Sequence, residues 1–548
     1  MTWRLNQYLS FAVLAAAAAN TASAQASHFD QVNAVYQFGF ESAKLIDDPL
    51  LSGKTSAFLW LPPHVRHIRA ILLAPANIIE RRVADDPIIR DEATRDDMAI
   101  VFFQAGWARG GMDSPRLAEY VQAILEKLAD QSGYSELKTA PWIPIGHSGN
   151  HQFVESISRL KPTRTVANII VKGGLPLAAK DGSTQGIAGI PTLFFTGEFE
   201  EVMPPGKVRN AWWAVSLERL LTARKAVPDA LYSGMEDKSH GHIDWQQPMQ
   251  QYLALFLHKV MLARIDPASQ KLKSVAFQSG WLGDPGEKFV SAPANQYKGD
   301  RAGCFWFFDE EQAKAWKVLF DHDAGKKDQM LAFEQRGEIT PLWAGWGLQT
   351  ITFDPMEDGI TFQVKARFRD EVPEPFADAH TRLGHASSGR IRYQVVGWAG
   401  ATQQTGPDTF RIRFDREGFN GRTTHILIGA LHPGDEQYRE AVAVATFDVA
   451  ATTGGMKQSI KFPTMDNAKE GATSIPLNAV SDAGLPVGYF VSWGPAQIEG
   501  NKLTLTDLPD HAQYPIAVRV TAYQWGKGTG ARINTATPIA QTFYITRK

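Results

Sequence analysis

The chain has 548 residues, with 56 Lys and Arg against 58 Asp and Glu and a formal net charge of −2. This balance, without a Lys/Arg cluster, argues against a protein that binds nucleic acid or an anionic membrane. The length is enough for about three domains. Cys304 is the only cysteine, so an internal disulfide is excluded and packed cores must stabilise the chain.

The first 24 residues have the pattern of a secretory signal peptide. Arg4 gives a positive start, an apolar run follows from Tyr8 to Ala19, and Ala22-Ser-Ala24 offers small residues for cleavage. The apolar run is too short and too rich in alanine for a membrane anchor. We therefore expect a secreted or periplasmic protein whose mature chain begins near Gln25.

Residues 55–262 alternate between short apolar runs and helix-like patterns. Such alternation predicts a mostly parallel sheet with helices on both faces. The predicted strands are Ser56–Leu61, Ala70–Ala74, Ala99–Phe103, Trp142–Ile145, Ala167–Val171 and Thr192–Phe195. The predicted helices are Arg116–Leu128, His151–Leu160, Val208–Arg224 and Pro248–Ala263.

The motif Gly146-His-Ser148-Gly-Asn150 lies between one of these strands and the helix that follows it. A serine on a sharp strand-to-helix turn, with small residues two positions away on each side, resembles the nucleophile elbow of α/β-hydrolases. Gly146 fits this pattern, whereas Asn150 replaces the usual second glycine. Asn tolerates unusual backbone angles better than most residues, so we expect it to be accommodated there.

The resemblance implies a carboxylate and a histidine after the serine, in that order. The strand ending at Gly197 leads into three glutamates, and the usual spacing selects Glu200, with Glu198 and Glu201 as alternatives. Pro228–Ser233 resembles the final strand. The Gly-His pair after it selects His242, with His240 as its competitor.

The sequence gives His147 no base role and the pair His240 and His242 no metal site. His147 precedes the serine and is expected to pack or hydrogen-bond there without acting as a base. His240 and His242 together would supply only two of the three or four ligands that a metal needs, so no metal site is predicted.

The resemblance also implies an oxyanion hole made of two backbone amides. One comes from Gly149, the residue after the serine, and the other from Ala76 or Asn77 in the loop after the strand Ala70–Ala74. The Asn77 side chain is either an additional donor or a turn residue. Trp107, after another strand, is expected to line the substrate pocket.

The rest of the chain is predicted to be mainly β. Residues 263–450 contain one helix, Asp309–Phe320, and then alternating segments separated by Gly, Pro and Asp, as in an antiparallel sandwich. These segments are Gln349–Phe353, Thr361–Phe368, Arg390–Val396, Thr409–Phe414, His425–Gly429 and Ala441–Phe447. Ala451–Gly455 is predicted to be a linker.

Residues 457–548 show a second resemblance, to bacterial immunoglobulin-like modules. It is carried by Gln458–Pro463, Ser474–Leu477, Gly484–Val487, Gly494–Ala496, Gly500–Leu505 and Gln541–Ile545. The resemblance implies a small β-sandwich that acts as a spacer or stabilising wall and carries no catalytic residue.

Taken together, residues 28–262 are predicted to be an α/β-hydrolase domain, and the chain a secreted serine hydrolase of carboxylic esters that needs no cofactor. An acyl or phenolic ester linked to polysaccharide is the expected substrate. A serine peptidase of the same fold and a non-catalytic binding protein on a hydrolase scaffold are the alternatives. The oligomeric state is left open.

Overall fold

A computed structural model of the protein describes residues 35–547 except 180, 201–210, 287–288, 343–346, 375, 398–400 and 417–423. The proposed signal peptide lies outside the described residues, and so do Glu201 and the start of the helix predicted at 208–224.

An eight-stranded sheet forms the N-terminal part of the fold. Its strands lie in the order β1-β2-β4-β3-β5-β6-β7-β8, and β2 alone runs antiparallel to the others. This arrangement is an α/β-hydrolase-like, mostly parallel sheet. The strands are β1 (Phe38–Ser42), β2 (Thr55–Trp60), β3 (Ala70–Pro75), β4 (Met98–Gln104), β5 (Trp142–His147), β6 (Asn168–Val171), β7 (Thr192–Gly197) and β8 (Tyr232–Asp237).

Helices connect the parallel strands, so that loops from the carboxyl ends of β3, β5, β7 and β8 meet at one edge of the sheet. Strands β2 to β8 consist almost entirely of buried residues, as expected for a sheet covered on both faces. The helices are α1 (Glu80–Asp85), α2 (Pro87–Arg95), α3 (Leu117–Ser132), α4 (His151–Leu160), α5 (Ala211–Ala226) and α6 (Gln247–Arg264).

The sequence prediction is confirmed for most of these elements, whereas one strand is misplaced and three elements are not predicted. The final strand lies at Tyr232–Asp237 rather than at Pro228–Ser233, because buried ion pairs and hydrogen bonds allow polar residues in this strand. Strand β1 and the short helices α1 and α2 were missed. The start of α2 did carry a signal: Asp86 accepts hydrogen bonds from Ile88 N and Ile89 N ahead of a first-turn proline.

The middle region is mostly small antiparallel sheets around the predicted helix, α7 (Glu310–Phe320). Asp309 caps this helix by accepting a hydrogen bond from Gln312 N. The strands are β9 (Trp281–Gly283), β10 (Ser291–Pro293), β11 (Phe305–Phe307), β12 (Leu331–Gln335), β13 (Glu338–Ile339), β14 (Leu348–Thr350), β15 (Thr361–Gln363), β16 (Ala366–Phe368), β17 (Arg392–Val395), β18 (Thr402–Gln404), β19 (Thr409–Ile412), β20 (Thr424–His432) and β21 (Ala441–Val449).

The segment 451–455, predicted to be a linker, is tied to the last region by hydrogen bonds from Thr452 N to Thr535 Oγ1 and from Gly455 N to Asn534 Oδ1. That region contains further small sheets, and its immunoglobulin-like character stays a prediction. Its strands are β22 (Ile460–Lys461), β23 (Ala468–Lys469), β24 (Ile475–Pro476), β25 (Val480–Ser481), β26 (Gly488–Trp493), β27 (Ala496–Glu499), β28 (Lys502–Leu505), β29 (Ile516–Tyr523) and β30 (Ile539–Thr546).

The last region packs directly on the hydrolase-like sheet. Gly494 N donates to Tyr36 O beside the edge strand β1, and Gln513 N donates to Ser132 O at the end of α3. One hydrophobic core includes residues of both parts, and a second core lies mostly in the middle region but includes Trp525 of the last region. The C-terminal region is therefore packed against the N-terminal part and is not a free spacer.

Cys304 is buried and free. Within the described residues, no helix has the length and apolar character needed to cross a membrane.

The contact at Gly494 gives a stability prediction. Gly494 has φ +120°, and a Cβ there would lie 2.7 Å from Val518 Cα, so Gly494→Ala should lower the free energy of unfolding by about 2–4 kcal/mol. Gly484 is the matched control: its φ is also positive, but nothing lies near its Cβ position, so Gly484→Ala should cost only about 1–2 kcal/mol. Urea unfolding followed by tryptophan fluorescence measures both, and equal losses would contradict a tight contact.

Candidate active site

Ser148 lies on a strained turn between β5 and α4. Its φ is +52°, in the left-handed region that residues other than glycine seldom adopt. The turn is so tight that a Cβ on Gly146 would lie 2.2 Å from Asn150 O. Only glycine fits there, and the turn lifts the serine above the carboxyl edge of the sheet.

Asn150 is tolerated for a reason that differs from the prediction. Its backbone is ordinary, with φ −71° and ψ −1°, so no special tolerance of backbone angles is needed. Instead its Nδ2 donates to Pro75 O at 3.0 Å and to Glu80 Oε1 at 2.9 Å. The side chain thereby ties the serine turn to the loop after β3.

Glu80 is a buried residue of the site that sequence reasoning missed. Besides Asn150, its Oε1 accepts from His147 N at 2.7 Å, so one carboxylate oxygen holds the residues before and after the Ser148-Gly149 pair. Its side chain is almost completely buried, at 1% exposure. Nothing in the local sequence marks it except its position three residues after Asn77.

The structure brings the predicted serine, histidine and acid together. His242 Nε2 lies 2.8 Å from Ser148 Oγ, and His242 Nδ1 lies 2.9 Å from Glu200 Oε1. The other oxygen of Glu200 accepts from Gly197 N at 2.9 Å, which fixes the carboxylate. His242 and Glu200 are buried, whereas Ser148 is partly exposed, so a substrate can reach the hydroxyl.

The alternative acid Glu198 has a different set of partners. It accepts from Ser239 N at 2.9 Å and pairs with Arg439 of the middle region at 3.0 Å. Arg439 also pairs with Asp328 at 2.7 Å. Glu198 therefore links the acid loop, the histidine loop and the middle region, and Glu201 lies outside the described residues.

The alternative base His240 belongs to a buried cluster of charged groups. Its Nδ1 lies 2.7 Å from Asp244 Oδ2 and 3.9 Å from Asp237 Oδ1. Lys172, at the end of β6, lies 2.9 Å from Asp237 and donates to Gly241 O and Asp244 O. Although burial opposes the charge, Asp237 and Asp244 raise the pKa of His240 to about 9. This cluster holds the loop that presents His242.

His147 positions the adjacent histidine. The ring of His147 lies 4.7 Å from that of His242, and His147 Nε2 lies 2.8 Å from His242 O. Burial, together with the neighbouring His242, holds the pKa of His147 well below its usual 6.5. The neutral ring donates its Nε2–H to the carbonyl, in agreement with the expected hydrogen-bonding role.

Two backbone amides in the loop after β3 are predicted as possible oxyanion donors, and one of them already donates to the sheet. Ala76 N donates to Phe103 O at 2.7 Å, so this amide is occupied by the sheet. The Asn77 side chain donates to His147 O at 3.0 Å and so holds the loop after β3 against the end of β5. The Asn77 backbone N–H donates to no backbone carbonyl in the described part of the chain, and its role as an oxyanion donor stays a prediction. Gly149, the other predicted donor, is exposed on the turn.

Trp107 lies on the loop after β4 and is half-buried. Its ring packs on Phe103, Tyr120 and Phe153 at centroid distances of 6.2, 6.3 and 6.0 Å. Phe153 is on α4, the helix that begins at the serine turn. Contact between Trp107 and a substrate stays a prediction.

No family model and no curated protein matches the chain. Solved structures similar to it include a poly(aspartic acid) hydrolase from Sphingomonas sp. KT-1 (11% identity, 41% of this chain and 98% of that one, TM-score 0.29). Others are a poly(3-hydroxybutyrate) depolymerase from Bordetella parapertussis (12%, 40% and 88%, 0.29) and a metagenomic carboxylesterase (13%, 41% and 89%, 0.27). Because these TM-scores are low, the α/β-hydrolase-like assignment rests on the strand order and the turn at Ser148.

The buried cluster predicts how stability depends on pH. The folded pKa of His240, about 9, lies above the unfolded value of 6.5. Stability from the charged ring is therefore fully present below pH 6.5 and is lost as the pH rises through 9, by roughly 3 kcal/mol in total. Lys172 keeps its charge in this window because Asp237 and Asp244 outweigh burial and raise its pKa above 10.5.

Urea unfolding of wild type and His240→Gln between pH 6 and pH 10 tests this prediction. Wild type should be the more stable protein at pH 6, and the difference should shrink towards pH 10. A difference that does not depend on pH would show that His240 is not charged in the folded state.

Proposed function

We propose that the protein is a serine hydrolase that cleaves carboxylic esters through an acyl-enzyme. The observation that carries the proposal is the unbroken hydrogen-bonded series from Ser148 Oγ through His242 to Glu200, with the serine on a strained turn. A serine hydroxyl is a weak nucleophile unless a neighbouring base takes its proton, and the base needs an orienting carboxylate.

The proposed reaction follows from these contacts. Ser148 Oγ attacks the acyl carbon while its proton passes to His242 Nε2, and Glu200 stabilises the imidazolium that forms. His242 then gives the proton to the leaving alkoxide, which departs as an alcohol and leaves the acyl group on Ser148. A water molecule, deprotonated by His242, attacks the acyl carbon, the carboxylic acid is released and the proton returns to Ser148 Oγ.

The negative charge of each tetrahedral intermediate needs donors that are already in place. In this proposal the donors are the backbone amides of Gly149 and Asn77. The second donor is supported by the hydrogen bond from the Asn77 side chain to His147 O, which fixes this residue beside the serine turn. A preorganised donor of this kind contributes about 3–4 kcal/mol to lowering the barrier.

Labelling by a fluorophosphonate probe tests the serine mechanism. Wild type should be labelled at Ser148, and Ser148→Ala should lose labelling and lower kcat by about 10³-fold or more. Glu200→Gln should lower kcat by about 10²–10⁴-fold with KM nearly unchanged, because Glu200 acts on the base and not on the substrate. Ser135→Ala, at an exposed serine, is the control and should match wild type.

Intact protein mass spectrometry reads out the labelling, and circular dichroism verifies that the variants are folded. Folded wild type that stays unlabelled would reject the mechanism and favour a binding protein on a hydrolase scaffold.

For the substrate we propose an extracellular ester, with acyl or phenolic groups on polysaccharide as the first class to test. The proposal is supported by the leader-like residues 1–24 and by a chain rich in tryptophan and tyrosine, whose rings suit stacking on sugars and phenolic groups. Half-buried Trp107 is the proposed pocket residue.

A substrate panel is expected to show higher kcat/KM on acetylated xylan and feruloyl or chlorogenate-type esters than on long-chain triglyceride. Trp107→Ala should raise KM for phenolic esters more than for acetyl esters, because only the phenolic ring loses a stacking partner. Preference for triglyceride would reject the substrate proposal, and faster cleavage of aminoacyl amides than of aryl esters would favour a peptidase. Either result leaves the serine mechanism standing.

A further inference from the structure

Three side chains with metal-binding atoms meet between α2 and α6. Glu92 lies on α2, Asp96 follows four residues later on the same face, and His258 lies on α6. Asp96 lies two residues before β4 begins, at the amino edge of the sheet, whereas Ser148 follows the carboxyl end of β5. The cluster is therefore at the opposite edge of the sheet from the candidate active site.

The hydrogen bonding within this cluster is incomplete. His258 Nδ1 lies 3.1 Å from Glu92 Oε1 and 3.1 Å from Asp96 Oδ2. A single ring N–H cannot form two full hydrogen bonds to carboxylate oxygens at once. Glu92 Oε1 is buried and has no hydrogen-bond partner with good geometry. The side chains of Glu92 and Asp96 are only 6% and 4% exposed. An ionised carboxylate oxygen in such a place is costly unless a proton or a cation neutralises it.

The arrangement matches the requirements of a small divalent cation. The three candidate ligand atoms all lie within 4.8 Å of one another. Two ligand atoms that each lie about 2.1 Å from a tetrahedral Zn²⁺ ion are roughly 3.4 Å apart, close to the 3.1 Å found here. His258 is 26% exposed, so a water molecule can fill the fourth position. Arg95 pairs with Glu92 Oε2 at 3.0 Å and leaves Oε1 for the ion.

We propose that Glu92, Asp96 and His258 form a structural Zn²⁺ site that fastens α2 to α6. Imidazole nitrogen and carboxylate oxygen are both ligand types that Zn²⁺ accepts, and the imidazole favours Zn²⁺ over Mg²⁺ or Ca²⁺. The helices that the ion would join belong to opposite ends of the domain sequence: α2 follows the Asn77 loop, and α6 follows the His242 loop. The site would stabilise the scaffold of both loops without touching a substrate.

Calorimetric titration of the metal-stripped full-length protein with ZnCl₂ tests the proposal. Wild type should bind one high-affinity equivalent, and Zn²⁺ should raise its melting temperature by about 3 °C or more at a large excess over Kd. Co²⁺ in place of Zn²⁺ should give the visible absorption bands of a tetrahedral site. His258→Gln should weaken Zn²⁺ binding at least roughly tenfold and abolish the thermal shift.

His380→Gln is the matched control. His380 also lies near two glutamates, but Glu371 and Glu374 approach different ring nitrogens, at 3.2 and 3.4 Å, so they cannot converge on one ion. This variant should bind Zn²⁺ like wild type. Glu92→Gln, which keeps the shape of the side chain, should show the same loss of Zn²⁺ binding as His258→Gln. It is the test variant if His258→Gln does not fold.

Absence of a high-affinity equivalent in wild type, or equal binding by wild type and both cluster variants, would overturn the proposal. These outcomes are independent of the serine mechanism, since none of the measurements uses hydrolysis.

Discussion

The left-handed turn at Ser148 is the constraint on which the rest of the site depends. A residue other than glycine in this conformation costs about 1–3 kcal/mol, and such strain persists only where the surroundings fix it. Here the fixing group is the buried Glu80 carboxylate, which binds His147 N before the turn and Asn150 Nδ2 after it. Asn150 in turn donates to Pro75 O at the end of β3, so the serine turn and the start of the loop after β3 are held together as one unit.

The histidine loop is held by the same kind of interaction. Burying a charge is expensive unless opposite charges and hydrogen bonds surround it. Lys172 meets this condition through Asp237 and two carbonyls of the loop, and His240 meets it through Asp244. These buried charged groups thus fix the position of the histidine loop rather than transfer protons. They hold His242 at hydrogen-bonding distance from Ser148, which is the preorganisation that a catalytic group needs.

The parts of the site that the sequence predicts are those with a local signature. Gly146, Ser148 and His242 each belong to a short motif at a strand end, and the mostly parallel sheet follows from apolar runs that alternate with helices. Glu80 and Lys172 cannot be recognised at this level, because the partners described here lie 65 residues (Lys172 and Asp237) or more away in the chain.

The wrong expectations have the same origin in tertiary contacts. The final strand is predicted at Pro228–Ser233, four residues too early, whereas β8 extends to Asp237, which is buried beside Lys172. The sequence predicts that Asn150 is accommodated because Asn tolerates unusual backbone angles. In the structure, the hydrogen bonds of its side chain hold the turn instead. The meeting of Glu92 and Asp96 with His258, which is 162 residues from Asp96, likewise follows from the packing of two helices and from no local pattern.

The contact between Gly494 and Tyr36 has a consequence for the behaviour of the protein in solution. Strand β1 is at the end of the eight-stranded sheet, and an uncovered edge strand is a template on which another chain can add a strand. The C-terminal region lies against this edge, where β26 contacts β1 and Gly494 N takes up a carbonyl beside it. Removal of the C-terminal region would expose this edge, so the N-terminal domain produced alone should aggregate more readily even with every residue around Ser148 intact.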